Sequence, residues 1–309
     1  QSAAWWNDYR ALNDYIARIC AAMSLGEQRN DILVLEPTTS VWMYNQYYGT
    51  ASLNRAMEIG QAFQDLVTEL EHAQVEFDLG CENIFRTNGS VRDGKFVVGQ
   101  RAYGTFVVAP QTENRETFDM LRGFVRTGGR LIAFGHPSRV EGEPSAEAEA
   151  FFASDSVILL AECTPEAIDR YLRSEGIRFV RREGGDLHHH RREFDGGQTL
   201  LLVNASLDEA SDVEVALNGK HAVRMDALDG KVYEMPVETA NGTVTVKTRV
   251  EPAGSVLLYV SNDPVEARKP QVSTGGTPLQ ADGPVRIARH RDNVLLIDFI
   301  DLQNGDKQY

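Results

Sequence analysis

The chain of 309 residues is short of most features by which a sequence announces its chemistry. It holds three cysteines, Cys20, Cys81 and Cys163. They are too few and too scattered for a disulfide framework, and no two have metal-ligand spacing. Basic charge is scarce, with 31 Lys and Arg against 45 Asp and Glu and a formal net charge of −14. Nucleic acid and anionic membranes both favour a basic face, so neither partner is expected. No apolar run is long enough to span a membrane, and no segment has the parts of a signal peptide. The compartment stays open between soluble, periplasmic and secreted settings. A Gly-x-Gly-x-x-Gly loop is missing as well. Glu36-Pro37-Thr38 stands where it would follow the first strand, which disfavours dinucleotide binding. What remains is a composition of 42% hydrophobic and 25% charged residues, ordinary for a soluble globular protein of two or three domains. A neutral ligand such as a sugar fits the acidic balance.

Architecture is easier to read. From Ala102 to Gly135, an apolar run (Thr105–Ala109) precedes a helical stripe (Asn114–Arg126). The Gly128-Gly129 stop and a second apolar run (Arg130–Phe134) follow. This is a βαβ unit with strands covered on both faces. Upstream, Trp5 to Leu25 has helical spacing, and Cys20 on it is expected to be a small buried hydrophobe. Asp31–Leu35 reads as the first buried strand, TTSVWMYNQYYGT as an aromatic loop, Asn54–Glu71 as a helix and Val75–Leu79 as a strand. Lys95–Val98 reads as a short strand, and Val157–Leu160 with the helix Pro165–Ser174 closes the layer. Strands alternating with helices predict a doubly wound parallel sheet of flavodoxin-like, or amidotransferase-like, type.

From about Ile177 the period becomes alternating. Seven short strands separated by Gly, Asn and Asp turns predict an antiparallel β-sandwich. The expected division is a terminal helix at 1–29, an α/β domain at 30–176 and a sandwich at 177–262. A Pro- and Gly-rich linker at 263–284 and the first strands of a further β domain at 285–309 complete it. Opening without methionine and closing just after a strand, the chain reads as a segment of a larger protein.

Candidate site residues fall in three groups. RREGGDLHHHRR (Arg181–Arg192) is the one concentrated basic patch, set against Glu183 and Asp186. Its guanidinium and imidazole groups could donate to sugar oxygens or form a domain interface, or it could be an exposed strand and hairpin. Only His188 and His190 of the His run can share a strand face, and a zinc site lacks an identifiable third ligand. Cys81 and His136 each follow a strand at one sheet edge and could form a thiol dyad, but the second Gly of a nucleophile elbow is absent. Glu36 and Glu82 also face that edge. Glycosidases need two carboxylates about 5–9.5 Å apart, a separation the sequence does not specify.

Several stretches in order carry a family resemblance: WWNDYRALNDYIARICAAMSLGEQRNDILVLEP, FDLGCENIF, VRDGKFVVGQRAYGTFVVAP, HRREFDGGQTLLLVN and NVLLIDFIDL. Together they resemble the α-L-rhamnosidase-like enzymes of glycoside hydrolase family 106, in the segment after the catalytic (β/α)8 barrel. The family 42 β-galactosidases look similar in the corresponding sheet. The resemblance implies a bacterial parent that hydrolyses glycosidic bonds. Its carboxylate pair, and any calcium ion, would belong to the barrel rather than to these residues. It implies no catalytic residue, cofactor or metal in this segment. The expected partners are a carbohydrate, reached through the parent, and the adjacent barrel and jelly-roll domains. His190, Arg191 and Arg192 match the family-like stretch and become candidates, with Glu36 and Glu82, for a substrate rim or domain interface. The alternatives are a carbohydrate-binding or scaffolding module without hydrolysis, and a Cys-dependent amidotransferase-like hydrolase.

Overall fold

A computed structural model describes residues 6–44, 50–109 and 112–270 and a few isolated positions beyond 282. The expected linker from 271 onward and the further β domain at 285–309 lie essentially outside the described residues.

Helix α1 (Tyr9–Met23) lies against the β-rich half of the chain. Tyr15 Oη meets Ser255 Oγ at 2.5 Å, and Arg18 donates to the carbonyls of Ala227 and Leu228 at 2.8 and 2.7 Å. No residue of α1 is buried, and Cys20, expected inside, is exposed. The helix touches its neighbour along a narrow polar line, leaving Leu12 and Ile16 exposed.

The α/β layer then runs β1 (Ile32–Leu35), α2 (Thr38–Tyr44), α3 (Thr50–His72), β2 (Phe77–Gly80), α4 (Glu82–Asn88) and β3 (Thr105–Val108). It continues with α5 (Arg115–Arg126), β4 (Arg130–Phe134), α6 (Ala146–Phe152), β5 (Ile158–Leu160) and α7 (Pro165–Tyr171). The five strands are parallel, in the order β5-β4-β3-β1-β2. The central strands β1 and β3 are buried throughout because alternate side chains enter two different cores. Leu33, Leu35, Phe106 and Leu131 pack with Phe85, Phe118 and Phe124 on one face. Ile32, Val34, Val107 and Ile132 pack with Leu66 and Leu70 of α3 and Ile168 of α7 on the other.

Part of the expected aromatic loop is helical. Pro37 suits a helix entry, and the Val41 amide reaches its carbonyl at 2.8 Å, closing the first turn of α2. Helix α5 is punctuated at both ends. The Asn114 side chain accepts from the Thr117 amide at 2.8 Å, and Gly128 ends the helix at φ 98°. At Gly129 an added Cβ would lie 2.1 Å from the Phe124 ring, so a side chain there would break the core. Asn114→Ala is expected to cost about 1 kcal/mol through loss of the cap, read as a lower urea midpoint at unchanged slope.

The β-rich half comprises β6 (Ile177–Glu183), β7 (Leu187–Phe194), β8 (Gly197–Asn204), β9 (Ser211–Asn218) and β10 (His221–Asp226). After them come β11 (Lys231–Glu234), β12 (Val237–Ala240), β13 (Thr243–Val250) and β14 (Ser255–Ser261). One antiparallel sheet is ordered β7-β8-β14-β10-β11, with the short strand Glu27–Gln28 added beside β7; the other is β6-β9-β13-β12. Leu200, Leu202 and Leu258 of the first meet Val213, Val215 and Val246 of the second in one core. The basic patch does not form a hairpin. Its two strands, β6 and β7, belong to opposite sheets, and the chain crosses between them at Gly184-Gly185, where φ is 73° and 63°.

Candidate functional site

The order of the parallel strands reverses between β1 and β3, and open α/β sheets place ligands beyond the carboxyl ends of such strands. Glu36 ends β1 and is half-buried, its amide bonded to the Gly80 carbonyl at 2.9 Å. Glu82 opens α4 at 3% exposure. One of its carboxylate oxygens accepts from the Asn114 amide at 2.8 Å and the other from the Thr39 hydroxyl. Beside it is Glu113, which the sequence reading missed. Its side chain is fully enclosed and neither carboxylate oxygen has a hydrogen-bond partner.

Burial pushes the Glu113 carboxyl well above the usual carboxylate range, and the neighbouring Glu82 charge adds to the shift. Glu82 is raised too, because burial outweighs the hydrogen bonds from Thr39 and the Asn114 amide. Enclosure therefore favours the protonated form of Glu113. A general acid must reach the atom it protonates, and Glu113 has no exposed surface through which to do so.

The thiol dyad does not assemble. Cys81 follows β2 at the sheet edge, whereas His136 follows β4 and is exposed, with β1 and β3 lying between. Three interstrand spacings put them roughly 14 Å apart. Cys81 has ordinary extended backbone, φ −113° and ψ 130°, not the strained turn of a nucleophile elbow. After Cys81 the chain enters the seven-residue helix α4.

The basic strand β7 splits its residues between two faces. His189 and Arg191 turn toward the segment just before β2. Arg191 is 2% exposed, and its guanidinium grips Glu76 through two bonds of 2.7 Å each. It also donates to Glu193 and to the Glu175 carbonyl, both at 2.7 Å. The His189 ring is buried, with Nδ1 2.9 Å from Gln74 Oε1 and Nε2 3.6 Å from Glu76, the latter too long for a hydrogen bond. Gln74 in turn donates to the Leu187 carbonyl at 2.6 Å. Burial alone would raise Glu76, but the facing His189 and Arg191 hold its carboxyl below the usual range. A bidentate, buried Arg–carboxylate pair thus ties the β-sandwich to the parallel sheet.

The other face carries His188, His190 and Arg192. Arg192 donates to the carbonyls of Leu25 and Gly26 at 2.9 and 2.6 Å, fastening the chain that follows α1. Gly26 has φ 58°, and a Cβ there would meet the Glu193 carbonyl oxygen at 2.0 Å, so only glycine allows this approach. His190 is half-buried, and burial together with Arg192 pushes its pKa down. His188 pairs with Asp186 at 3.3 Å. Among the described residues, no three His, Cys, Asp or Glu side chains come together as a metal site requires. Periodicity could assign residues to the two faces of β7 but could not say which face is buried.

No family model matches the chain, and no curated protein matches it in sequence. Solved structures do match. A rhamnosidase from Novosphingobium sp. PP1Y superposes with a TM-score of 0.61 at 15% identity, over 88% of this chain and 26% of that one. The likeness is one of fold. A β-galactosidase from Bacillus circulans sp. alkalophilus superposes more loosely, with a TM-score of 0.45 at 10% identity over 77% of this chain and 42% of that one. An α-L-fucosidase from Paenibacillus thiaminolyticus gives 0.44 at 10% over 80% and 51%. The chain therefore shares the fold of part of the rhamnosidase it matches and spans about a quarter of that protein's length. No helix among the described residues is long and apolar enough to cross a membrane.

Proposed function

We propose that this chain is a supporting, non-catalytic segment of an α-L-rhamnosidase-like glycoside hydrolase of family 106. In this reading α1 is the last helix of a catalytic barrel, the parallel sheet is a flavodoxin-like layer that buttresses it, and the sandwich stiffens that layer. The observation that carries the reading is the buried Arg191–Glu76 pair, which commits the most distinctive charged residues of the basic patch to joining two layers. The strand order, 2-1-3-4-5 in sequence terms, supports the flavodoxin-like description. The likeness to a rhamnosidase supports the enzyme class. Enclosure of Glu82 and Glu113 supports an acid/base pair elsewhere in the parent. In this reading His190, Arg191 and Arg192 serve the interface between layers, whereas Glu36 and Glu82 are held within the parallel layer. Carbohydrate is met through the parent, together with any calcium the barrel holds.

The test uses an aryl α-L-rhamnoside. The chain alone is expected to release no aryl alcohol above buffer, and a longer polypeptide carrying the sequence that flanks it is expected to do so. Turnover by the chain alone would place the chemistry in this segment and end the proposal.

A further inference from the structure

Packing of the sandwich against the sheet leaves a cleft of about 610 Å³ at the amino edge of the parallel strands, opposite the edge where open α/β sheets usually bind ligands. Nearly every cation that lines it faces an acid. Arg29 meets Glu193 at 2.6 Å, Lys95 meets Asp31 at 2.9 Å and Arg101 meets Asp78 at 3.9 Å. Arg173 pairs with Asp169 on its own helical segment, and Arg191 with Glu76. Arg130 differs. It opens β4 and is exposed, and among the described residues its side chain bonds only the Thr105 hydroxyl, through Nε at 3.0 Å and Nη2 at 2.7 Å. Among the described residues no carboxylate pairs with it, and its Nη1 group makes no hydrogen bond.

We propose that this cleft binds a sugar carrying one carboxylate, such as a uronic acid, with Arg130 as its anchor. The proposal rests on the carbohydrate reading above and adds the class of ligand. Thr105 holds the guanidinium from one side, leaving Nη1 free to donate to a carboxylate. Gln100 and Asn218 present amides to the same space, suited to hydroxyls. The volume lies within the ordinary range for small-molecule pockets and far exceeds what a bare anion fills. Among the described residues Glu27 and Glu175 line the cleft with no basic side chain paired to them, which favours a monoanion rich in hydroxyls over a phosphate dianion.

Calorimetric titration of the full chain with galacturonate, galactose and inorganic phosphate tests this. Galacturonate is expected to bind saturably, and galactose and phosphate each about tenfold or more weakly, as loss or misfit of a charge-assisted hydrogen bond implies. Arg130→Gln should weaken galacturonate by a similar factor, with Arg130→Lys intermediate and both thermal midpoints unchanged. Absence of saturable binding, equal binding of galactose or phosphate, or an unaffected Arg130→Gln variant would overturn the proposal. This titration needs no hydrolysis, so its failure is distinct from failure of the hydrolase reading, which the rhamnoside assay decides.

Discussion

Arg191→Leu is expected to lower the free energy of unfolding by about 3–5 kcal/mol, the usual cost of leaving one half of a buried ion pair behind. The Glu76 carboxylate would lose both of its 2.7 Å bonds and keep only the His189 ring, 3.6 Å away. Glu193 would keep Arg29 but lose its second partner. Because Glu76 belongs to the parallel-sheet layer and Arg191 to the sandwich, the loss should also uncouple the two. A single urea transition should broaden or split into two. Arg191→Leu combined with Glu76→Leu should recover much of the stability, since an apolar pair tolerates enclosure that a lone charge does not. Equal losses in the single and double variants would show that the pair is not the tie.

The same pair gives a pH signature. Glu76 has its folded pKa depressed below 4.5, so its contribution is present above that value and lost as pH falls through the folded pKa. Acid should loosen the layers, and the double variant should be less sensitive to it.

Glu113 runs the other way. Replacing it with methionine is expected to stabilise the chain by about 1–3 kcal/mol near neutral pH, because an enclosed polar group with no partner is exchanged for an apolar one of similar size. The folded pKa of Glu113 is raised above 4.5. Above that pH the unfolded chain releases a proton that the native state retains, so stability declines as pH rises until the folded pKa is passed. The gain from Glu113→Met should therefore be smaller near pH 4 than near pH 7, measured by urea unfolding at both. Glu113→Gln keeps an unpartnered polar group in place and should not gain. A loss of stability in Glu113→Met would mean that the carboxyl is held by an interaction and is not an orphan.

The parallel layer was legible in advance because its central strands β1 and β3 are buried along their whole length. That pattern arises where helices cover both faces, as the Leu33 and Ile32 sides of β1 illustrate. The sandwich was legible through alternation, except where alternation carried no apolar signal. LHHHRREF became β7 and VETA became β12 through ladder hydrogen bonds to β8 and β13, which polar side chains do not reveal. Thr38–Tyr44 was misread because β-branched and aromatic residues suit a strand or loop, whereas packing and a proline entry made a helix.

The candidate residues divide along the same line. Sequence alone determined that a basic strand, two edge glutamates and an edge cysteine exist, since residue type and strand position need no partner. Only the tertiary structure decided what they meet. Arg191 became a buried tie because the turn holding Glu76 packs against β7, over a hundred residues away in the chain. Cys81 and His136 became strangers because two strands insert between theirs. Glu113, unremarkable as Thr-Glu-Asn, has its carboxyl pKa raised only because folding removes it from water. Local pattern records which face of an element is apolar, whereas the energy of a charge depends on the distant groups that enclose it.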